Sequence, residues 1–128
     1  MRRTLIAGNW KMNGDLVTNA ALLQAVRAGA QAQSAELVVC VPAPYLAQTQ
    51  AALEGSSVAW GAQDMSAHEA GAYTGEVAGR MLKDFACRYA LVGHSERRSL
   101  HGESDQLVAD KAKAALVSGL TPVVCVGE

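Results

Sequence analysis

Short apolar runs alternate along the chain with stretches in which apolar residues recur every three or four positions. A run of four to six apolar residues predicts a buried strand, and the three-to-four spacing predicts a helix with one face against a core. The predicted strands span residues 4–9, 36–41, 58–63, 89–93 and 123–128. Helices are predicted between them, over residues 18–30, 44–54, 79–85 and 104–118.

This alternation of strands and helices predicts an α/β fold with a parallel sheet, because parallel neighbours need a long crossover connection. Residues 37–41 are apolar on both faces, as expected of a strand that is covered on each side. Periodicity leaves two architectures open. One is a complete five-stranded doubly wound sheet, and the other is the first five strands of an eight-stranded barrel.

Local signals predict where the helices begin and which faces they bury. Thr18 is predicted to cap the first helix and Ser104 the last. The inner face of the last helix is predicted to consist of Leu107, Val108, Lys111, Ala115 and Leu116. Four acidic residues of the last two predicted helices and their flanks are predicted to be solvated charges on helix faces or at caps: Asp84, Glu103, Asp105 and Asp110.

Composition narrows the class of protein. The chain has 128 residues, of which 50% are hydrophobic, and this suits one domain with its own core. A net charge of -1 without a basic patch argues against nucleic acid as a partner, and no apolar run approaches the ~20 residues of a membrane helix. Three cysteines, Cys40, Cys87 and Cys125, have no C-x-x-C spacing, and we expect reduced thiols in a cytoplasmic protein.

The densest cluster of reactive side chains follows the fourth predicted strand. Gly93 ends an apolar run, and His94, Ser95 and Glu96 come directly after it. The carboxyl end of a parallel strand is where α/β proteins place their chemistry. A helix starting at Ser95 would point free N–H groups at the imidazole and hold it neutral.

A second polar cluster, Asn9 and Lys11, follows the first strand. Side chains alternate along a strand, so these two share a face if the extended conformation persists. A cation, an amide and an imidazole at one end of a sheet can bind an anionic substrate and polarise a carbonyl group. The general base is less obvious, because Glu96 is either that base or a partner of His94.

Other kinds of site find little support. The chain contains neither a P-loop nor a G-x-G-x-x-G motif for nucleotide phosphates. Its histidines, His68, His94 and His101, lack metal-ligand spacing with cysteine or glutamate, so no metal is expected. A nucleophile elbow is excluded because Arg97 stands where the closing glycine belongs.

Four motifs together resemble the triosephosphate isomerase family. They are NWKMN at 9–13, GAYTGE at 71–76, YALVGHSERR at 89–98 and CVGE at 125–128, and they occur in the order and at the separations of that family. The resemblance implies the (β/α)8 TIM barrel, with its active site at the carboxyl ends of the strands. Residues 1–128 are then a single partial TIM-barrel domain of about five parallel strands and four helices, truncated after the fifth strand.

The resemblance also implies an activity and a set of roles. Members of the family interconvert dihydroxyacetone phosphate and D-glyceraldehyde 3-phosphate through an enediolate, without a cofactor, in glycolysis and gluconeogenesis. Lys11 corresponds to the residue that neutralises the anionic substrate, with Asn9 supporting it. His94 corresponds to the neutral electrophile that polarises the carbonyl and shuttles protons. Ser95 and Glu96 correspond to residues that support these groups.

Residues 64–76 form a long predicted loop, and such loops are usually functional or interfacial. In the family, the loop that matches Gly71 to Glu76 inserts into a second subunit of a homodimer near the equivalent of Met12. The resemblance therefore assigns Met12, Thr74 and Gly75 to a dimer interface, and it pairs Glu76 with the partner's Arg97.

The resemblance covers only the first half of the family's fold. The catalytic glutamate, the flexible lid and the phosphate-binding N–H groups come from strands six to eight of that fold, so we expect the isolated chain to be inactive unless a complementary carboxyl-terminal half is supplied. Two other hypotheses stay open. One is a non-catalytic half-barrel that associates or folds through its open edges, and the other is a doubly wound phosphate-binding protein.

Overall fold

A computed structural model describes residues 2–127 of the chain. Within that range the elements follow in the order β1 (Leu5–Asn9), α1 (Leu16–Ala30), β2 (Glu36–Val41), a 3-10 turn (Ala43–Tyr45), α2 (Leu46–Leu53), β3 (Ala59–Ala62), α3 (Gly79–Asp84), β4 (Tyr89–Val92), α4 (Ser95–Leu100), α5 (Asp105–Val117) and β5 (Thr121–Val124). All five predicted strands are confirmed. The fifth begins two residues earlier than predicted, and Glu128 of the CVGE motif lies outside the described residues.

The five strands pair in parallel in the order β1-β2-β3-β4-β5. Each strand is added beside the one before it, so the chain winds steadily in one direction. A doubly wound sheet reverses that direction at a switch point, and the five-stranded doubly wound hypothesis is therefore wrong. Sequential parallel order is the order of a barrel wall, and the sheet is a half-barrel.

Alternate residues of the strands bury against two different clusters. On the outer face Val39, Val41 and Val92 belong to a large cluster that also contains buried residues of the helices, such as Leu23 and Leu53. On the inner face the buried members of the second cluster come from strands alone: Val38, Cys40, Ala59, Tyr89 and Leu91. Among the described residues the helices thus supply buried partners to one face only, which is the arrangement of a barrel.

The N-cap of the first helix lies three residues before the predicted one. Asp15 is its N-cap, and the Oδ1 atom of Asp15 accepts hydrogen bonds from the backbone N–H and the hydroxyl of Thr18, at 2.8 and 2.9 Å. The prediction of Thr18 as the cap is wrong, because Thr18 lies in the first turn of the helix and its own N–H is one of the free donors that the Asp15 carboxylate satisfies. The predicted cap of α5 is confirmed, since the Ser104 hydroxyl accepts from the N–H of Leu107.

The crossover between β4 and β5 contains two helices, α4, which starts at Ser95 as the sequence suggested, and then α5. The described residues therefore contain five α-helices instead of the predicted four. Gly102 separates α4 from α5 with a φ of 66°, a left-handed conformation that suits glycine. On α5 the residues Val108, Lys111 and Ala115 are buried as predicted. Leu116 is 65% exposed, because the buried residues repeat every three or four positions and residue 116 falls beside that face.

All three cysteines have free thiols. Cys40 and Cys87 are fully buried, and burial is the main reason that their pKa values are raised to about 12 and about 11. Burial also raises the pKa of the partly exposed Cys125. None of these thiols is poised as a nucleophile. Separately, no helix within residues 2–127 is long and apolar enough to cross a membrane.

Gly61 provides a test of how closely β3 and β4 are packed. A Cβ atom at this position would lie 2.4 Å from the carbonyl oxygen of Tyr89. Because that oxygen belongs to the backbone of β4, relieving the clash would require a costly shift of the strand. We expect Gly61→Ala to lower the free energy of unfolding by about 2–3 kcal/mol, as measured by urea denaturation. Gly29→Ala is the matched control. It lies in α1 with open space around it, and we expect it to stabilise the chain by about 0.5–1 kcal/mol.

Candidate active site

The turn after β1 fixes Lys11 in an unusual backbone conformation. Lys11 has a φ of 55°, and its N–H donates to the Oδ1 atom of Asn9 at 2.9 Å. A left-handed conformation costs a non-glycine residue about 1–2 kcal/mol, so the surrounding contacts must hold it. The extended conformation therefore ends at Asn9. The condition under which Asn9 and Lys11 would share a strand face is thus not met, and the two residues are instead linked directly by a hydrogen bond.

Gln63 holds this turn against the sheet, although the sequence reasoning did not single it out. Its Nε2 donates to the carbonyl oxygens of Lys11, at 2.8 Å, and of Cys40, at 3.1 Å. One amide group thus joins the end of β2 to the turn after β1. The sequence contained one sign of this role, because Gln63 directly follows β3 and so lies at the same carboxyl-terminal rim as Asn9 and His94.

His94 lies at the start of α4, as the sequence predicted. It is the N-cap residue, and its Nδ1 atom accepts the backbone N–H of Glu96 at 3.1 Å. Accepting a hydrogen bond requires a lone pair, so this contact places the proton of the neutral ring on Nε2. The Glu96 carboxylate is also 3.3 Å from Nδ1. It is not an ion-pair partner in this protonation state, because Nδ1 already acts as the acceptor.

Glu96 lies between the two polar clusters. Its Oε2 atom is 3.2 Å from the Lys11 ammonium nitrogen, while its Oε1 atom faces His94. Both partners of the Lys11–Glu96 pair are about half exposed, and such pairs contribute at most about 1 kcal/mol to stability. The pair is thus better explained as a means of orienting the ammonium group. Ser95 is exposed and begins α4 with its backbone.

These groups face one cavity of about 520 Å³ at the carboxyl ends of the strands. Its lining includes Asn9, Lys11, Gln63, His94 and Glu96. The cavity therefore presents an ammonium cation, a carboxylate, two amides and an imidazole to a small molecule. That combination can bind an anion and donate a hydrogen bond to a carbonyl oxygen.

The predicted interface residues lie around the same cavity. Met12, Gly75, Glu76 and Arg97 line it, and Met12 is 94% exposed. Thr74 is exposed in the loop beside them. Arg97 is already paired within the chain, since its Nε atom is 2.7 Å from Glu103 and 3.2 Å from Asp64.

A network of four charged residues lies beneath this rim, with Glu103 and Lys111 buried and Arg97 and Asp64 partly exposed. The Lys111 ammonium is 2.6 Å from Glu103 and 2.8 Å from Asp64, and the Arg97 guanidinium contacts the same two carboxylates. The side chains of Glu103 and Lys111 are only 3% and 4% exposed. The prediction that Glu103 is a solvated charge is wrong, because α5 buries Lys111 and a buried ammonium requires a carboxylate partner.

The network shifts the acid–base properties of its members. Burial by itself would raise the pKa of Glu103, but hydrogen bonds from Lys111 and Arg97 outweigh it and lower that pKa. Burial by itself would lower the pKa of Arg97, but its contacts with Glu103 and Asp64 raise it. Both shifts favour the charged forms of Glu103 and Arg97 near neutral pH. Within residues 2–127, no three His, Cys, Asp or Glu side chains converge to hold a metal ion.

Comparison with known proteins decides the family. The family model described as triosephosphate isomerase matches residues 4–128. The chain belongs to the triosephosphate isomerase family. It is 68% identical over 127 residues to the triosephosphate isomerase of Bordetella pertussis and 63% identical over 128 residues to that of Cupriavidus taiwanensis.

The crystal structure of triosephosphate isomerase from Bartonella henselae has the same fold, with a TM-score of 0.91 at 40% identity. The match covers 99% of this chain and 52% of that structure. Similarly, the alignments cover 99% and 100% of this chain but 51% and 52% of the Bordetella and Cupriavidus proteins. The chain thus spans about half the length of the family members that it matches.

The network of charged residues predicts a specific dependence of stability on pH. We expect Glu103→Gln to lower the free energy of unfolding at pH 7 by about 3 kcal/mol, because Lys111 and Arg97 lose a buried carboxylate. Since folding lowers the pKa of Glu103, its stabilising effect is complete above its ordinary pKa of 4.5 and disappears as the pH falls through the folded value. Urea denaturation of the wild type and of Glu103→Gln from pH 7 to pH 3 measures this effect. The difference between their free energies of unfolding should shrink below pH 4.5.

Asp110→Asn is the control for this comparison, because Asp110 is an exposed carboxylate on α5. We expect that substitution to change the free energy of unfolding by less than about 0.5 kcal/mol at every pH between 7 and 3. A difference between wild type and Glu103→Gln that stays constant down to pH 3 would contradict the assignment of Glu103 as the titrating group.

Proposed function

We propose that this chain forms the carbonyl-polarising half of a triosephosphate isomerase active site, in which dihydroxyacetone phosphate and D-glyceraldehyde 3-phosphate interconvert through an enediolate. The observation that supports it best is the convergence of Lys11, Glu96 and His94 at one rim. One carboxylate lies 3.2 Å from the Lys11 ammonium and 3.3 Å from the His94 ring. A triose phosphate has an anionic end, which suits the Lys11 ammonium, and a carbonyl group, which suits the His94 imidazole.

His94 supplies the hydrogen bond to the substrate's carbonyl oxygen in this proposal. Its Nδ1 atom is occupied by the N–H of Glu96, so the Nε2–H is the group left to donate. As the enediolate forms, negative charge grows on that oxygen, and a fixed donor stabilises the charge without reorganising. Lys11 and His94 contact different oxygens of Glu96, and the Lys11 ammonium neutralises the negative charge of the substrate.

We assign Glu96 to orientation and not to proton abstraction. Its two oxygens already face Lys11 and His94, and removing it would leave the ammonium without a nearby carboxylate partner. The family resemblance implies that the base is a glutamate after the sixth strand. The proposal therefore requires the half of the fold that lies beyond these residues, supplied in the same protein or as a separate piece.

Other features of the proposal follow the family. Residues 1–128 act as a single partial TIM-barrel domain, and Met12, Thr74, Gly75, Glu76 and Arg97 contribute to a homodimer interface. The exposed Met12 at the mouth of the cavity supports such an interface. The protein works in the cytoplasm, in glycolysis and gluconeogenesis, where its three free thiols stay reduced.

A non-catalytic association module is the second candidate function. It is favoured by the exposure of apolar residues on the two outer strands, with Ile6 of β1 53% exposed and Val124 of β5 47% exposed. Open strand edges promote association with other strands. Sedimentation of the chain separates the cases, because a monomer at high concentration contradicts this function.

A chimaera tests the proposed catalysis directly. Residues 1–128 are joined to the remaining half of the Bordetella pertussis enzyme, which is 68% identical over the matching region. We expect the chimaera to interconvert the two triose phosphates in a coupled assay. His94→Gln should lower kcat by about 10²–10⁴-fold, because the neutral imidazole donates in the transition state.

The effect of the lysine is tested in the same chimaera. Lys11→Met should lower kcat/KM by at least about tenfold through loss of a charge-assisted contact with the anionic substrate. Lys113→Met is the matched control, because Lys113 is an exposed lysine on α5 that does not line the cavity. An inactive chimaera that folds, or equal effects of the two lysine substitutions, would count against the proposal.

A further inference from the structure

Arg98 makes contacts that neither the family motif roles nor the cavity explain. Its Nε atom donates to the carbonyl oxygen of Gly93 at 2.8 Å, and its Nη2 atom donates to the carbonyl oxygen of Cys125 at 3.3 Å. Its Nη1 atom contacts the carboxylate of Asp105 at the first turn of α5. One guanidinium group therefore joins the end of β4, the segment after β5 and the start of α5.

The contact with Gly93 bears directly on His94. The carbonyl group of Gly93 belongs to the peptide unit that ends at the nitrogen and Cα of His94, and a peptide unit is planar and rigid. Fixing that oxygen therefore fixes the orientation of the backbone from which the imidazole projects. The Nδ1 contact with Glu96 then fixes the ring itself.

The surroundings of Gly93 leave this peptide unit little freedom. Gly93 has a φ of 71°, and a Cβ atom there would lie 2.6 Å from Val108 and 3.0 Å from the Nη2 atom of Arg98. The absence of a side chain at Gly93 thus lets Arg98 and α5 approach the strand end closely. Only arginine has a planar set of donors that can reach the two carbonyls and the carboxylate together, whereas lysine presents one ammonium.

We propose that Arg98 is a positioning residue for His94, which sets the imidazole at the correct place in the cavity by holding the Gly93–His94 peptide unit between β4, β5 and α5. This inference rests on the proposed isomerase activity. Arg98 does not line the cavity, so it acts through His94 and not on the substrate.

The test uses the chimaera described above. Arg98→Met keeps the apolar stem and removes all three polar contacts, and a displacement of about 1 Å in a catalytic group can lower the rate by about 100-fold. We expect kcat to fall by about 100-fold while KM changes less than about threefold, because the hydrogen bond from His94 matters most in the transition state. Arg98→Lys should recover part of kcat, since it restores one donor.

Arg27→Met is the matched control for loss of an arginine. Arg27 also donates to two backbone carbonyls, those of Ala52 and Glu54, but it joins α1 to the end of α2 away from the cavity. We expect Arg27→Met to destabilise the protein and to leave kcat within about threefold of wild type. A fall in kcat of equal size in Arg27→Met and Arg98→Met would overturn the proposal.

A double mutant separates positioning from general structural damage. If Arg98 acts through His94, then adding Arg98→Met to His94→Gln should lower kcat by less than about threefold further, because the affected group is already gone. Independent, multiplicative losses would contradict the assignment.

Nitrogen-15 NMR of the histidine rings gives a readout that does not depend on activity. We expect Arg98→Met to shift the Nδ1 and Nε2 resonances of His94, while those of His68, which lies outside the contacts of Arg98, stay in place. Unchanged His94 resonances would overturn the inference. If the wild-type chimaera is inactive, the proposed function fails, and the NMR comparison still decides the role of Arg98.

Discussion

Parallel pairing of five consecutive strands is the constraint on which the site depends. Parallel strands bring all of their carboxyl ends to one edge of the sheet, so residues that follow different strands meet there. Lys11 follows β1 and His94 follows β4, and two strands lie between them in the sheet. Their side chains nevertheless share one carboxylate, because the curved wall turns both strand ends toward the same cavity.

The buried charges beneath the rim serve a different purpose from the exposed ones at the cavity. Lys111 and Glu103 have lost nearly all contact with water, and only the mutual pairing with Asp64 and Arg97 makes this acceptable. The network ties α5 to α4 and to the residue that follows Gln63 after β3. It therefore connects both helices of the crossover after β4 to a neighbouring strand end.

Several short-range contacts convert this frame into a defined site. The Asn9 side chain holds the strained backbone of Lys11, Gln63 anchors the same turn to β2, and the helix start at Ser95 orders the imidazole of His94. Each of these contacts uses an amide or a backbone N–H, so none of them engages the charged groups of Lys11 and Glu96, which pair with each other. In the proposed function, these residues orient the groups that bind and polarise the substrate, and the proton-abstracting glutamate belongs to the other half of the fold.

The sequence alone determined the five strands and their parallel arrangement, because these follow from the local periodicity of apolar residues. It also determined the histidine at a helix start, because Gly93 marks the end of a strand and Ser95 the beginning of a helix. The four motifs by themselves also indicate the family. Only the tertiary structure separated a half-barrel from a doubly wound sheet, since strand order is a long-range property that periodicity does not contain. Likewise, the burial of Glu103, the support from Gln63 and the three-way contact of Arg98 depend on partners between 5 and 52 residues away along the chain. Charged and amide side chains look alike in sequence whether they are solvated or enclosed, and it is packing that decides between these outcomes.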